Sequence, residues 1–196
     1  MAKVLIACEY SGIVRDAFTK AGHDATSCDI LPTESEGKHY EGDVLDILND
    51  GWDLMIAHPP CTYLSNAGAR FLYPNKVLNK ERYKLGLVAK HFFMQLYEAN
   101  IEKICIENPI SSKIFEMPMH TQTIQPYEYG HPLTKTTRLW LKNLPKLKPT
   151  NIVESKESTK VAGNWFNKGG NDRQKNRSRF WHGIADAMAD QWGNLL

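Results

Sequence analysis

The chain has 196 residues, with 24 Lys and Arg against 22 Asp and Glu, a net charge of +2 and 42% hydrophobic residues. This balance provides the apolar mass for one globular domain and argues against a disordered or two-domain polypeptide. No apolar run reaches the roughly 18–20 residues that span a bilayer, and Glu9 arrives too early for a secretory leader, so a soluble, cytoplasmic protein is expected.

Over the first 107 residues, short apolar runs alternate with helical patterns, as in parallel α/β folds. KVLIAC (3–8) reads as a buried strand. Ser11 can cap a helix over 12–21, with Ile13, Val14, Ala17 and Phe18 on one face and Gly22 as its stop. Strands follow at 24–29 and at DLMIA (53–57), where Pro59-Pro60 must end the ladder. Leu85, Val88, Phe92 and Leu96 mark a long helix over about 79–99, and KICIEN (103–108) is the next strand. From 118 onward TQTIQP (121–126) and TRLWL (137–141) suit antiparallel additions at the sheet edge. Residues 142–177 read as a long loop, and 179–192 as an amphipathic helix with Trp181, Ile184, Ala185, Met188 and Trp192 on one side.

Charge is unevenly spread. Residues 135–179 carry 12 Lys or Arg and 3 Asp or Glu, whereas 29–53 has eight acids and the single Lys38. A basic surface for a polyanion beside an acidic, phosphate-free pocket is the expectation. Within the basic part Lys160, Lys168, Arg173, Lys175, Arg177 and Arg179 are interleaved with Trp165, Phe166, Phe180 and Trp181, a pattern that neutralises phosphates and stacks on bases. Core packing of Phe180 or Trp181 is the alternative for those two rings.

Ligands of open α/β sheets bind outside the carboxyl ends of the strands. That rule selects Glu9-Tyr10-Ser11-Gly12, Asp29, Asp43, His58 to Ser65, and Glu107-Asn108-Pro109. Asp29 ends a second strand, where a ribose-binding acid belongs. The first turn has one glycine, and Glu9 stands where a pyrophosphate would need positive charge, so a dinucleotide is disfavoured and a ligand with a cationic end suits it better. Cys61, presented by a Pro-Pro pair among possible helix-start amides, is a candidate nucleophile. Glu107 is a second candidate, because a carboxylate ending an apolar strand needs a proton, a partner or a substrate. Cys8, Cys28 and Cys105 read as core residues, and the four cysteines show neither metal-site nor disulfide spacing.

LIACEYSGIVRDAFTKAGHD (5–24), PPCTYLS (59–65), IEN (106–108), YGHPLTKTTRLW (129–140) and GIADAMADQWG (183–193) together resemble the ordered motifs of DNA (cytosine-5) methyltransferases. The resemblance implies a Rossmann-like, S-adenosylmethionine-dependent methyltransferase fold, mostly parallel with helices on both faces, as a single domain over 1–196. It also implies a basic loop or minimal recognition segment at about 142–177. By position, Cys61 is then the nucleophile, Glu107 the acid on cytosine N3, and Arg138 a support for that site. Glu9, Tyr10, Ser11, Gly12, Asp29, Asp43 and Pro59 would line the S-adenosylmethionine site, and DNA, duplex or single-stranded, would be the partner. The family usually carries a sizeable recognition domain where this chain has about 142–177. A pyrimidine nucleotide or single strand as substrate, or a non-catalytic S-adenosylmethionine or DNA binder, are the other readings.

Overall fold

In the computed structural model, residues 1–154, 157–158 and 179–196 are described. Val4-Leu5-Ile6-Ala7 is apolar at every position, and a strand with no polar face is stable only between two layers. This segment forms β1 (Lys3–Ala7), flanked in parallel by β2 (Asp24–Asp29) and by β4 (Leu54–Ala57). Strands β3 (His39–Glu41) and β5 (Lys103–Asn108) extend the parallel part on either side. Two later strands close the edge. β8 (Thr137–Lys142) runs antiparallel to β5, and β6 (Gln122–Ile124) pairs antiparallel with β8, giving the order β3-β2-β1-β4-β5-β8-β6. β7 (Leu133–Thr134) and β9 (Glu157–Ser158) make a separate parallel pair.

Successive side chains of each strand point to opposite faces and so divide the core. Val4, Ile6, Leu54, Ile56, Cys105 and Leu139 pack with helices α1 (Ile13–Lys20) and, at the C-terminus, α4 (His182–Gly193). Leu5, Ala7, Met55, Ala57, Ile106 and Trp140 face the long α3 (Lys80–Tyr97), which follows a single-turn α2 (Ala69–Leu72). The result is a Rossmann-like, mostly parallel sheet with helices on both faces, and its chain reverses between β1 and β4. Among the described residues no helix is long and apolar enough to cross a membrane.

Three local expectations need correction. The N-terminus of α1 is closed by Glu9 rather than Ser11, whose hydroxyl receives only a long bond, 3.4 Å, from the Ile13 amide. The buried stripe of α3 is Gly86, Phe93 and Leu96, while Leu85 and Val88 face outward, because Gly86 admits the Phe115 ring where any side chain would collide with it. The last helix begins at His182, since Trp181 is extended (φ −94°, ψ 125°), leaving Arg179 and Phe180 outside it.

The start of α4 rests on a histidine. The Gly183 amide donates to His131 Nε2 at 3.1 Å, which requires a neutral ring with its proton on Nδ1. Burial, together with the charge of His182, lowers the pKa of His131 from its ordinary 6.5. The unfolded chain therefore binds this proton first as pH falls. The contribution of His131 to stability is complete above about pH 6.5 and is lost below it. Thermal melts from about pH 7.5 to about pH 5.5 should show a steeper fall in Tm for the parent than for His131→Gln.

Candidate active site

The carboxyl edge of the sheet gathers most of the expected residues. At β1, Cys8 leaves the strand with φ +58°, and the chain turns through Gly12 at φ +76° into α1. Glu9 is buried, and its carboxylate accepts the Val14 and Arg15 amides at 2.8 and 3.2 Å and the Ser11 hydroxyl at 3.1 Å. A helix N-terminus ordinarily attracts a phosphate. Here its amides are already taken by an internal anion, so a ligand at this turn has no phosphate cradle.

The turn is covered by residues 30–38, which are held by the buried Arg15. Its guanidinium donates to Ser27 Oγ, Thr33 Oγ1, the Ser35 and Glu36 carbonyls and Asp16 Oδ1, at 2.8 to 3.2 Å. Glu34 donates its amide to the Tyr10 carbonyl and receives both Nε and Nη2 of Arg179, at 2.9 and 3.0 Å. Tyr10 and Ser11 are consequently buried, and Arg179, expected on a phosphate-binding surface, is committed to an ion pair within the chain. Lys160, Trp165, Lys168, Arg173, Lys175 and Arg177 lie outside the described residues.

Asp29 and Asp43 meet beside Cys8. Both raise the Cys8 thiol pKa, although burial is the larger cause, and the thiol of Cys28 is pushed up to about 12, again chiefly by burial. Asp29 is half-buried, and desolvation lifts its carboxyl above the usual range while the Leu31 amide and His39 oppose the rise. Asp43 is exposed, and its Oδ1 accepts the Leu45 amide at 3.0 Å. Cys28 and Cys105 are core residues as expected, whereas Cys8 is only half-enclosed because it has already left the strand.

The reactive candidates stand at β4 and β5. Their parallel register pairs Ala57 with Ile106, so the next residues, His58 and Glu107, emerge side by side. His58 Nδ1 lies 3.5 Å from Glu107 Oε2, and Phe180 packs on the imidazole with ring centroids 4.6 Å apart. Pro59 and Pro60 have no amides to continue the ladder. Instead Asn108 Nδ2, itself buried, donates to the Pro59 carbonyl at 3.2 Å. Beyond them the Cys61 and Glu107 loops are joined by Asn66 N to Ile110 O and Ser112 N to Leu64 O, both 2.8 Å. Cys61 is half-buried and opens a turn whose carbonyl accepts the Leu64 and Ser65 amides, so no helix begins at the cysteine as had been expected. Register also sets Arg138 opposite Asn108, and Arg138 lines an open cleft of about 440 Å³ with Asn66, Tyr73, Ser111 and Lys113.

The structure thus places Cys61, Glu107 and Arg138 on neighbouring strand ends, with Asp29, Asp43 and the Glu9–Gly12 turn across the β1–β4 boundary. His58 was selected by sequence reasoning as a strand-end residue but given no role, and Arg15 was missed. A role for the first could have been suspected from its position directly before Pro-Pro, and the second from an arginine on the apolar face of a short helix.

No protein-family model and no curated protein matches the sequence. Solved structures of similar shape include a DNA modification methyltransferase encoded within an E. coli prophage, with TM-score 0.48, 17% identity and coverage of 79% of this chain and 52% of that one. The Entamoeba histolytica methyltransferase EhMeth has TM-score 0.47, 16% identity and coverage of 88% and 62%. The S. pombe Dnmt2 methyltransferase has TM-score 0.40, 16% identity and coverage of 87% and 56%. The chain spans between 52% and 62% of the length of these three structures. The Rossmann-like fold stands on its own strand order and pairing.

Removing the Glu9 carboxylate strands two amides and a buried hydroxyl. Glu9→Ala should lower stability by about 1–3 kcal/mol in urea unfolding, and Glu9→Gln, which keeps an acceptor oxygen, by clearly less.

Proposed function

We propose that this chain is an S-adenosylmethionine-dependent methyltransferase acting on carbon 5 of cytosine in a nucleic acid, DNA by preference, through a covalent Cys61 adduct. The observation that carries the reading is the joining of the Cys61 turn to the Glu107-Asn108 strand end, with His58 beside the carboxylate. A nucleophile and an acid held on adjacent strands have no use in a simple binding module. S-adenosylmethionine fits the β1–β4 side because it carries no phosphate, and Glu9 has already neutralised the helix end. Asp29 would hold the ribose and Asp43 the adenine, with Gly12 and Pro59 at its edges and Glu9, Tyr10 and Ser11 shaping the turn from beneath. When bound, it supplies an electrophilic methyl group.

The chain's residues perform the remainder. Carbon 5 of cytosine is a weak nucleophile until Cys61 Sγ, having lost its proton, adds to carbon 6 and shifts the C5–C6 electron pair onto carbon 5. Glu107 delivers a proton to N3 and so keeps the ring from accumulating negative charge. His58 positions that carboxylate, and Arg138 supports the opposite strand end. After methylation, the carbon 5 proton is lost to water, its electron pair re-forms the C5–C6 double bond and expels the Cys61 thiolate, and N3 returns its proton to Glu107. The base must leave the duplex to reach such a site, at a cost of a few kcal/mol. The basic residues of 160–177 would repay it through phosphate contacts.

An oligonucleotide bearing 5-fluorocytosine should trap the protein covalently when S-adenosylmethionine is present, since fluorine cannot leave carbon 5 as a proton does. Cys61→Ser should abolish the trapped species and Glu107→Gln should slow it, whereas Cys28→Ser should still trap. A methyl group on an exocyclic amine, or full activity of Cys61→Ser, would move the protein to another methyltransferase class. In calorimetry, Asp29→Ala and Asp43→Ala should each weaken S-adenosylmethionine binding by about 1–3 kcal/mol. Equal affinity in both variants would displace the assigned cofactor pocket.

A further inference from the structure

Residues 66–90, between the Cys61 turn and the middle of α3, hold six Lys or Arg and a single acid, Glu81. Two of the segment's aromatic side chains are turned outward, Phe71 52% exposed and Tyr73 40% exposed, while Tyr83 packs on Phe115. Two arginines lie against Phe71 and against Tyr63 just before the segment. Arg82 Cζ is 5.0 Å from the Tyr63 ring centre and 5.4 Å from that of Phe71, and Arg70 Cζ is 4.6 Å from Phe71. Tyr63, Arg82, Phe71 and Arg70 therefore form a ladder in which rings and guanidinium groups alternate at cation–π distance. Arg82 Nη2 also donates to the Thr62 carbonyl at 2.8 Å, one residue beyond Cys61. A guanidinium whose face is stacked keeps its in-plane N–H groups for acceptors, the geometry that phosphate oxygens require.

The same segment forms one wall of the Arg138 cleft through Asn66, Ala69 and Tyr73, opposite Ser111 and Lys113. Among the described residues Ser111 Oγ is buried without a hydrogen-bond partner, and the guanidinium of Arg138, whose backbone is held in the β8 ladders, lines the same cleft with no side-chain hydrogen bond or ion pair. A hydroxyl and a guanidinium in want of partners, next to a stacked ladder, call for a ligand with both anionic groups and flat faces. Duplex nucleic acid hides its base faces, and an acidic peptide has no use for the exposed rings.

We propose that Tyr63, Arg70, Phe71 and Arg82, continuing into the Arg138 cleft, bind an unpaired nucleic-acid strand. The inference rests on the nucleic-acid reading above and specifies the form of the polymer. Bases stack on the ladder, phosphates meet Arg70 and Arg82, and the cleft receives the neighbouring nucleotide.

Fluorescence anisotropy of the full chain with labelled oligothymidine, and with a hairpin duplex of similar charge, tests this without methyl donor and without cytosine. The parent should prefer the single strand. Phe71→Ala should weaken single-strand binding about tenfold and duplex binding far less, and Phe71→Trp should restore it. Arg70→Ala should make the salt dependence shallower by roughly 0.7 per lost single-strand phosphate contact. Unchanged affinity in Phe71→Ala, equal losses on both polymers, or displacement of the oligonucleotide by polyglutamate would overturn the proposal. Cys61 trapping reads the proposed chemistry separately. Trapping without ladder-dependent binding removes only this surface, and the converse removes only the chemistry.

Discussion

The buried carboxylate of Glu9 governs the geometry of the site. Helix α1 has eight residues, too few to persist by its own propensity, and its first amides would otherwise face a protein interior without partners. Glu9 satisfies them two residues after β1 and sets the angle at which the helix leaves the sheet. Arg15, in the first turn of that helix, is thereby aimed at the loop after β2 and gathers its carbonyls and hydroxyls. One buried anion and one buried cation, each answered by several dipoles, define the floor and the cover of the Gly12 turn. Charges taken from water at such cost are tolerated only with this degree of satisfaction. The chemical consequence is selectivity against phosphorylated ligands before any ligand contact is made.

At the other half of the edge, the constraint is register. Parallel pairing of β4 with β5 sends adjacent residues out together, so His58 meets Glu107 because Ala57 meets Ile106. The two prolines then end the hydrogen-bonded ladder, and Asn108 replaces the missing backbone bond with a side-chain amide. Cys61 and Glu107 consequently belong to one joined unit rather than to two loops that move separately. Among the described residues the side-chain carbonyl of Asn108 remains buried without a partner.

The central strands were legible because residues 4–7 of β1 and all of β4 are apolar, a pattern that only a two-sided core explains. The strand-end positions of Cys61 and Glu107 were legible because polar residues at the ends of such strands have few structural uses, whereas Arg138 was reached only through the resemblance of its motif. The placement of β8 between β5 and β6 was not legible, since strand order at an edge depends on contacts distant in sequence. The cap of α1 was misread because Ser11 has the local signature of a cap, whereas Glu9 acts from four residues ahead of the helix. On α3, Leu85, Leu87 and Val88 offered several apolar faces, and the choice was made by Phe115 seeking the one glycine. The ladder of Tyr63, Arg70, Phe71 and Arg82 escaped notice because its members come from three separate segments and share no periodicity.

The pairing of Arg179 with Glu34 joins the residue at which the basic stretch re-enters the described fold to the cover of the Gly12 turn. Among the described residues this ion pair is the pin through which ligands on the two parts would be linked. Ion pairs as exposed as this one are worth about 0–1 kcal/mol, which limits the cooperativity passing through the pin to about fivefold. By reciprocity, loading of either part would change the affinity of the other by the same small factor. Raising the ionic strength uncouples them before it disturbs the sheet.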